Sequence, residues 1–217
     1  MPAATDMNLI KPRFLIVSDT HREKIDAISS LSYQIVVATH CGDLIEGSAL
    51  DELRASLRSL VDIRALLKLV IAGNHDFTLK VPVLKDKIAN ACLGLEPDLV
   101  KEVYSDFGEA RNLFNDVKSA GVVYLDEGNH QFILGNGTIL NVCASPYTLS
   151  RGYWGFQYHP THGHQFGLPH VIMEYTDSRR RAGCPHLFEA VTRACPRLHC
   201  FGHIHEGWGA KMVTWRE

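Results

Sequence analysis

Three short runs of uninterrupted apolar residues, Phe14-Leu15-Ile16-Val17, Ile35-Val36-Val37-Ala38 and Leu69-Val70-Ile71-Ala72, each give way at once to a polar cluster. That repeated pattern constrains the fold more than any other feature of the chain. Four β-formers with no polar alternation read as a strand buried on both faces. Between the second and third runs, residues 48–64 put Leu50, Leu53, Leu57, Leu60 and Val61 on one helical face, with Ser48 as the N-cap. A polar, helix-like stretch through Ile25 to Leu31 separates the first run from the second. Strands alternating with helices predict βαβ units and a central sheet with helices outside it. At 217 residues and 46% hydrophobic content, the chain can bury one such core and reads as a single domain over residues 1–217.

The remainder is less uniform. Residues 84–120 are polar and helix-leaning, with interruptions at Pro97 and Gly108, and no chemistry is expected there. Alternation returns around Gly135-Asn136-Gly137, which predicts a hairpin and makes the sheet mixed. Residues 151–170 are rich in aromatic residues, glycine and histidine and read as an exposed loop with a functional role. A helix is predicted over 185–194, stopped by Pro196, and then a short strand into Gly202-His203-Ile204-His205.

A formal charge of −2 offers no electrostatic case for a nucleic-acid polymer or an anionic membrane as partner. The first twelve residues do not read as a signal peptide and no apolar run is long enough to span a membrane, so the chain reads as soluble and cytoplasmic. Its cysteines, Cys41, Cys92, Cys143, Cys184, Cys195 and Cys200, contain no C-x-x-C pair. They read as free, mostly buried thiols, and the spacings argue against a redox or structural-zinc protein.

Four segment ends share one grammar: Asp19 and His21 in SDTH, Asp43 in GD, Asn74, His75 and Asp76 in GNHD, and His203 and His205 in GHIH. From SDTH alone, a helix N-cap at Asp19 reads as well as a ligand. Taken together the four ends converge, because carboxyl ends of neighbouring strands in an open α/β sheet meet at one edge. Carboxylates, imidazoles and an amide oxygen gathered there can hold two divalent cations, with manganese, iron and zinc all compatible with the donor set. Gly42, Gly73 and Gly202 would let the backbone turn sharply and approach closely.

D-x-H, GD, GNHD and GHxH in this order resemble the signature of the calcineurin-like metallophosphoesterases, and in particular the small metallophosphoesterase-domain-containing subgroup of animals and fungi. The resemblance covers nearly the whole chain. It implies an α/β fold, an αββα sandwich with mixed central sheets. It further implies that Asp19, His21 and His205 hold one metal, that Asp43 bridges, and that Asn74 and His203 hold the second. His75 would be the catalytic histidine, with Asp76 orienting its ring. The family supplies one more histidine at the end of an apolar strand between GNHD and GHxH. Here His162, in Thr161-His162-Gly163, is the stand-in, with His164 and His170 as alternatives, yet no apolar strand precedes it. The departures point to a sandwich short of one core strand and of the C-terminal strands. Glu206 and Trp208 read as packing or rim residues.

The expected activity is therefore hydrolysis of small phosphate mono- or diesters, with nucleotides as the expected substrate class. The alternative is a nucleotide- or metal-binding protein that keeps the fold without an efficient second site. Oligomeric state is not legible.

Overall fold

The computed structural model describes residues 12–25, 34–91, 94, 96–166, 184–207 and 209–215. The three apolar runs become β1 (Phe14–Val17), β2 (Ile35–Cys41) and β3 (Ala65–Ile71). With β4 (Val122–Tyr124) they form one parallel sheet in the order β1-β2-β3-β4. Between β2 and β3 lies α1 (Leu50–Asp62), and α2 (Val81–Ala89), α3 (Pro97–Tyr104) and α4 (Glu109–Val117) precede β4. Pro97 opens α3, where its missing N–H costs nothing, and Gly108, in a left-handed conformation, leads into α4.

Alternation along the strands builds two layers. Ala38 and Val70 face α1 and α4, where Leu53, Leu57, Leu60, Ala110 and Phe114 complete a buried core. Val37 and Leu69 face the other way, onto a hairpin of β5 (Gly128–Ile133) and β6 (Ile139–Ala144), where Leu134 and Ala144 close a second core. The residues 135–137 turn was legible, but the hairpin does not widen the parallel sheet: it forms its own antiparallel pair and packs face to face with it. A short parallel ladder, β7 (Thr148–Leu149) with β8 (Gln157–Tyr158), and α5 (Pro185–Ala194) follow. Ala190 and Val191 of α5 pack with Tyr158 and Phe166. No described helix is long and apolar enough to cross a membrane.

Several local expectations are corrected. β1 is not buried on both faces: it lies at one end of the described sheet, and Ile16 is 46% exposed. Ser48 does not cap α1. Ala49 occupies that position, and Glu52 turns back to accept the backbone N–H groups of Gly47 and Ala49. The Ser48 hydroxyl is drawn away into a buried pair with Thr78, accepting its N–H at 3.0 Å. Val61 is solvent-facing rather than part of the apolar stripe. Within residues 151–166, Tyr153 and Trp154 are exposed as expected, but Phe156, Tyr158 and Phe166 are buried. Residues 198–201 form no strand, since among the described residues they have no neighbouring strand with which to build a ladder. Neither is there a described strand between β8 and α5 or after α5. The cysteines described are free, but only Cys184 is fully buried. The helix expected through Leu31, Cys92, His170 and Trp208 fall outside the described residues, wholly or in part.

Candidate metal centre

The site is made by three turns at the carboxyl edge of the parallel sheet, stitched together by backbone hydrogen bonds. Past β1, the N–H groups of Asp19, His21 and Arg22 donate to the carbonyls of Gly42, Asp43 and Leu44 past β2, at 3.0, 3.1 and 2.8 Å. Residues of these turns, and His203, hold left-handed backbone, with φ of 52° at Asp19, 43° at His21, 53° at Asp43 and 75° at His203. Strain of that kind persists where surrounding contacts over-determine it. The third turn, after β3, is tied in by Asp76. Its buried carboxylate accepts the N–H of Gly73 at 2.7 Å, of Leu44 at 3.0 Å and of Ile45 at 3.2 Å. Burial, and then the charge of Asp43, push this carboxyl up to about 8 against the pull of the three donors.

Asp19 and His205 meet across the whole chain. The Asp19 carboxylate accepts the His203 N–H at 2.7 Å and lies 3.5 Å from His205 Nε2, and no helix begins in the described residues through Ile25 for it to cap. His21 Nε2 is 3.4 Å from His205 Nε2, and donor atoms of Asp19, His21 and His205 all fall within 4.8 Å of one another. Asp43 accepts the His75 N–H at 2.8 Å and stands 3.9 Å from His203 Nδ1. Burial pushes the Asp43 carboxyl up, but the nearby His203 imidazole, the His75 N–H and the charges of both imidazoles hold it below the usual range. Asn74 is buried, and its Oδ1 has no hydrogen-bond partner among the described residues. Buried amide oxygens are normally paired, so this one is suited to a ligand that the protein itself does not supply.

The glycines allow the sharp turns and close approach expected of them, Gly42 with a φ of 98° and the Ala72 carbonyl 3.0 Å from where its side-chain carbon would sit. A side-chain carbon at Gly73 would overlap Asp43, and one at Gly202 would come within 2.6 Å of the Cys41 carbonyl and 2.9 Å of Asp19 Oδ2.

Two expected residues stand elsewhere. Asp76 makes no contact with the His75 ring; all its bonds go to backbone, because it is needed to join two turns. His162 meets the edge of the His159 ring within its own loop, with ring centroids 5.7 Å apart, and joins no candidate metal group among the described residues. His164 is likewise committed, pairing with Glu127 at 2.6 Å between the rings of Tyr147 and Tyr158.

Two residues that sequence reasoning missed touch the site. Glu46 places a carboxylate oxygen 2.8 Å from His21 Nδ1, while its carbonyl accepts the Nδ1–H of His75 at 2.7 Å. Its position three residues after Asp43 was the only available signal. Trp154 lays its ring against His75 with centroids 4.4 Å apart. A cavity of about 1220 Å³ opens beside Asp43, Asn74 and His203 and runs between the parallel sheet and the hairpin toward α5.

The family model of the calcineurin-like phosphoesterases matches residues 12–207, and the chain belongs to that family. These are metal-dependent hydrolases of phosphoric esters, and the observed parallel sheet, facing hairpin and flanking helices agree with their fold. The chain is 27% identical over 223 residues to human metallophosphoesterase domain-containing protein 1, covering 91% of this chain and 61% of that one. It is 28% identical to UPF0046 protein T07D4.2 of Caenorhabditis elegans, covering 92% and 54%. It is also 30% identical to a probable rhamnogalacturonate lyase C of Emericella nidulans, covering 97% of this chain but 18% of that protein. The chain thus spans less than two thirds of the length of these relatives, and the lyase activity named for the last is not carried over.

Proposed function

We propose that this chain hydrolyses small phosphate mono- or diesters, nucleotides among them, with two divalent cations held by Asp19, His21 and His205 on one side and Asn74 and His203 on the other, Asp43 between. Manganese, iron and zinc all suit these donors. The observation that carries the reading is the meeting of Asp19, His21 and His205 within 4.8 Å, from segments 184 residues apart.

The residues present fit cations. His21 Nδ1 faces a carboxylate and its Nε2 faces a second imidazole nitrogen at 3.4 Å. Two lone pairs so placed repel unless a proton or a metal lies between them, and the adjoining Asp19 carboxylate favours the positive occupant. Bound there, divalent cations would neutralise charge on the phosphoryl oxygens and make water acidic enough to ionise near neutral pH.

His75 has a separate part. A carbonyl only accepts, so the Glu46 oxygen fixes the proton on His75 Nδ1 and leaves Nε2 as the working nitrogen. In its protonated form that nitrogen can donate to the departing alkoxide. The Asp43 carboxylate, held ionised, orients the turn through the His75 N–H.

Hydrolysis of bis-p-nitrophenyl phosphate by chelator-stripped protein, with Mn²⁺ added back, tests the reading. Turnover should return with the metal and fall at least a hundredfold in His75→Ala with metal uptake retained. Because His162 stands away from the site, a binding protein without turnover is the second reading. Metal uptake with no hydrolysis above background would establish it.

A further inference from the structure

We propose that Trp154 is a positioning residue for His75, fixing the plane in which that imidazole meets the leaving group. The inference rests on the functional reading above and adds a residue from outside the four motifs.

Three groups surround the His75 ring. The Glu46 carbonyl takes its Nδ1–H, the His21 ring meets it edge-on with centroids 4.7 Å apart, and the Trp154 ring covers one face at a tilt of 32°. The outer torsion of a histidine is broad, so one hydrogen bond at Nδ1 would still let the ring swing about that contact. An indole against its face opposes that swing.

Trp154 is itself held in place. The next residue, Gly155, donates its N–H to the Asn74 carbonyl at 2.9 Å. A side-chain carbon at Gly155 would come within 2.7 Å of Phe77 Cα and 3.1 Å of that carbonyl, so the loop lies directly on the turn that carries His75. The Trp154 N–H is bound by Gln157 Oε1 at 3.0 Å. From α2, Lys87 donates to the Tyr153 carbonyl and sets its ammonium 5.2 Å from the Trp154 ring centroid, while Tyr153 donates its hydroxyl to Asp86 at 3.1 Å. A cation over an indole face adds to this hold. Yet Trp154 remains 44% exposed and belongs to no buried core cluster among the described residues. Its contact with His75 is therefore not a by-product of core packing.

The test compares Trp154→Phe and Trp154→Leu with the unaltered protein, and repeats Trp154→Leu in a His75→Ala background. Phe keeps an aromatic face and should retain kcat within about threefold; Leu should lower kcat roughly ten- to a hundredfold with KM little changed. In the His75→Ala background the Leu substitution should have no further effect, since the pair acts as a unit. A second readout uses metal-free protein: the His75 ring resonances, assigned by their loss in His75→Ala, should lose their indole ring-current shift in Trp154→Leu. Unchanged kcat in Trp154→Leu, a change confined to KM, or additive losses with His75→Ala would overturn the inference alone. Absence of turnover in the unaltered protein would instead overturn the functional reading, and the catalytic use of the contact with it. The resonances would then still report whether the contact exists.

Discussion

At the scale of single residues, the site depends on close approach more than on exotic chemistry. Gly73 has no space for a methyl group, because Asp43 lies where its Cβ would go. Gly73→Ala should therefore displace the central carboxylate, costing about 1–3 kcal/mol of stability and weakening Mn²⁺ uptake. Urea unfolding and calorimetric titration would measure the two effects, and unchanged values for both would show that the turn yields freely. That the four motifs meet at one sheet edge was legible because their residue types are rare neighbours and recur at strand ends. Asp76 was misread for the same reason: an aspartate beside a histidine looks like its partner, whereas only the fold shows three backbone N–H groups converging on it. His162 was misjudged because sequence spacing carries no distance. Glu46 left only its place three residues after Asp43, and Trp154 no pattern, since one acts through a carbonyl and the other through a ring face.

Among elements, the decisive joints lie between turns. Asp76 binds the turn after β2 to the turn after β3, both of which carry residues of the candidate site. Asp76→Ala should leave those donors unpaired in a buried place and cost about 3 kcal/mol, seen as a lower urea midpoint, whether or not metal is present. A loss seen only with metal would mean that Asp76 serves the cations and not the fold. β2, β3, α1 and α5 were readable from periodicity because each is buried on a stripe or on both faces. The fate of the hairpin was not, since alternation fixes which face of a strand is apolar but not which sheet it joins. Ser48 failed as a cap for a similar reason: Thr78, thirty residues on, competes for the hydroxyl.

For the molecule as a whole, acidity should act through buried histidine. His199 has its Nε2 buried without a partner among the described residues, and burial holds its imidazole down at about 4 against 6.5 when unfolded. The unfolded chain therefore takes up the proton first. The stability contributed by the neutral form is complete above pH 6.5 and is lost as the pH falls through 4, by up to about 3 kcal/mol. His199→Phe should remove this component, so its advantage over the unaltered protein should widen steadily between pH 6.5 and 4 in urea titrations. A difference that stays constant with pH would contradict the assignment.

The bond from the His203 N–H to the Asp19 carboxylate joins the beginning of the sheet to a segment near the end of the sequence. During synthesis, Asp19 emerges from the ribosome long before the residue that satisfies it, and β1 to β3 can associate while the site is still half assembled. The meeting of Asp19, His21 and His205 must then await residues 203–205. On the function proposed above, translation interrupted before His203 would leave the sheet without half of its candidate site.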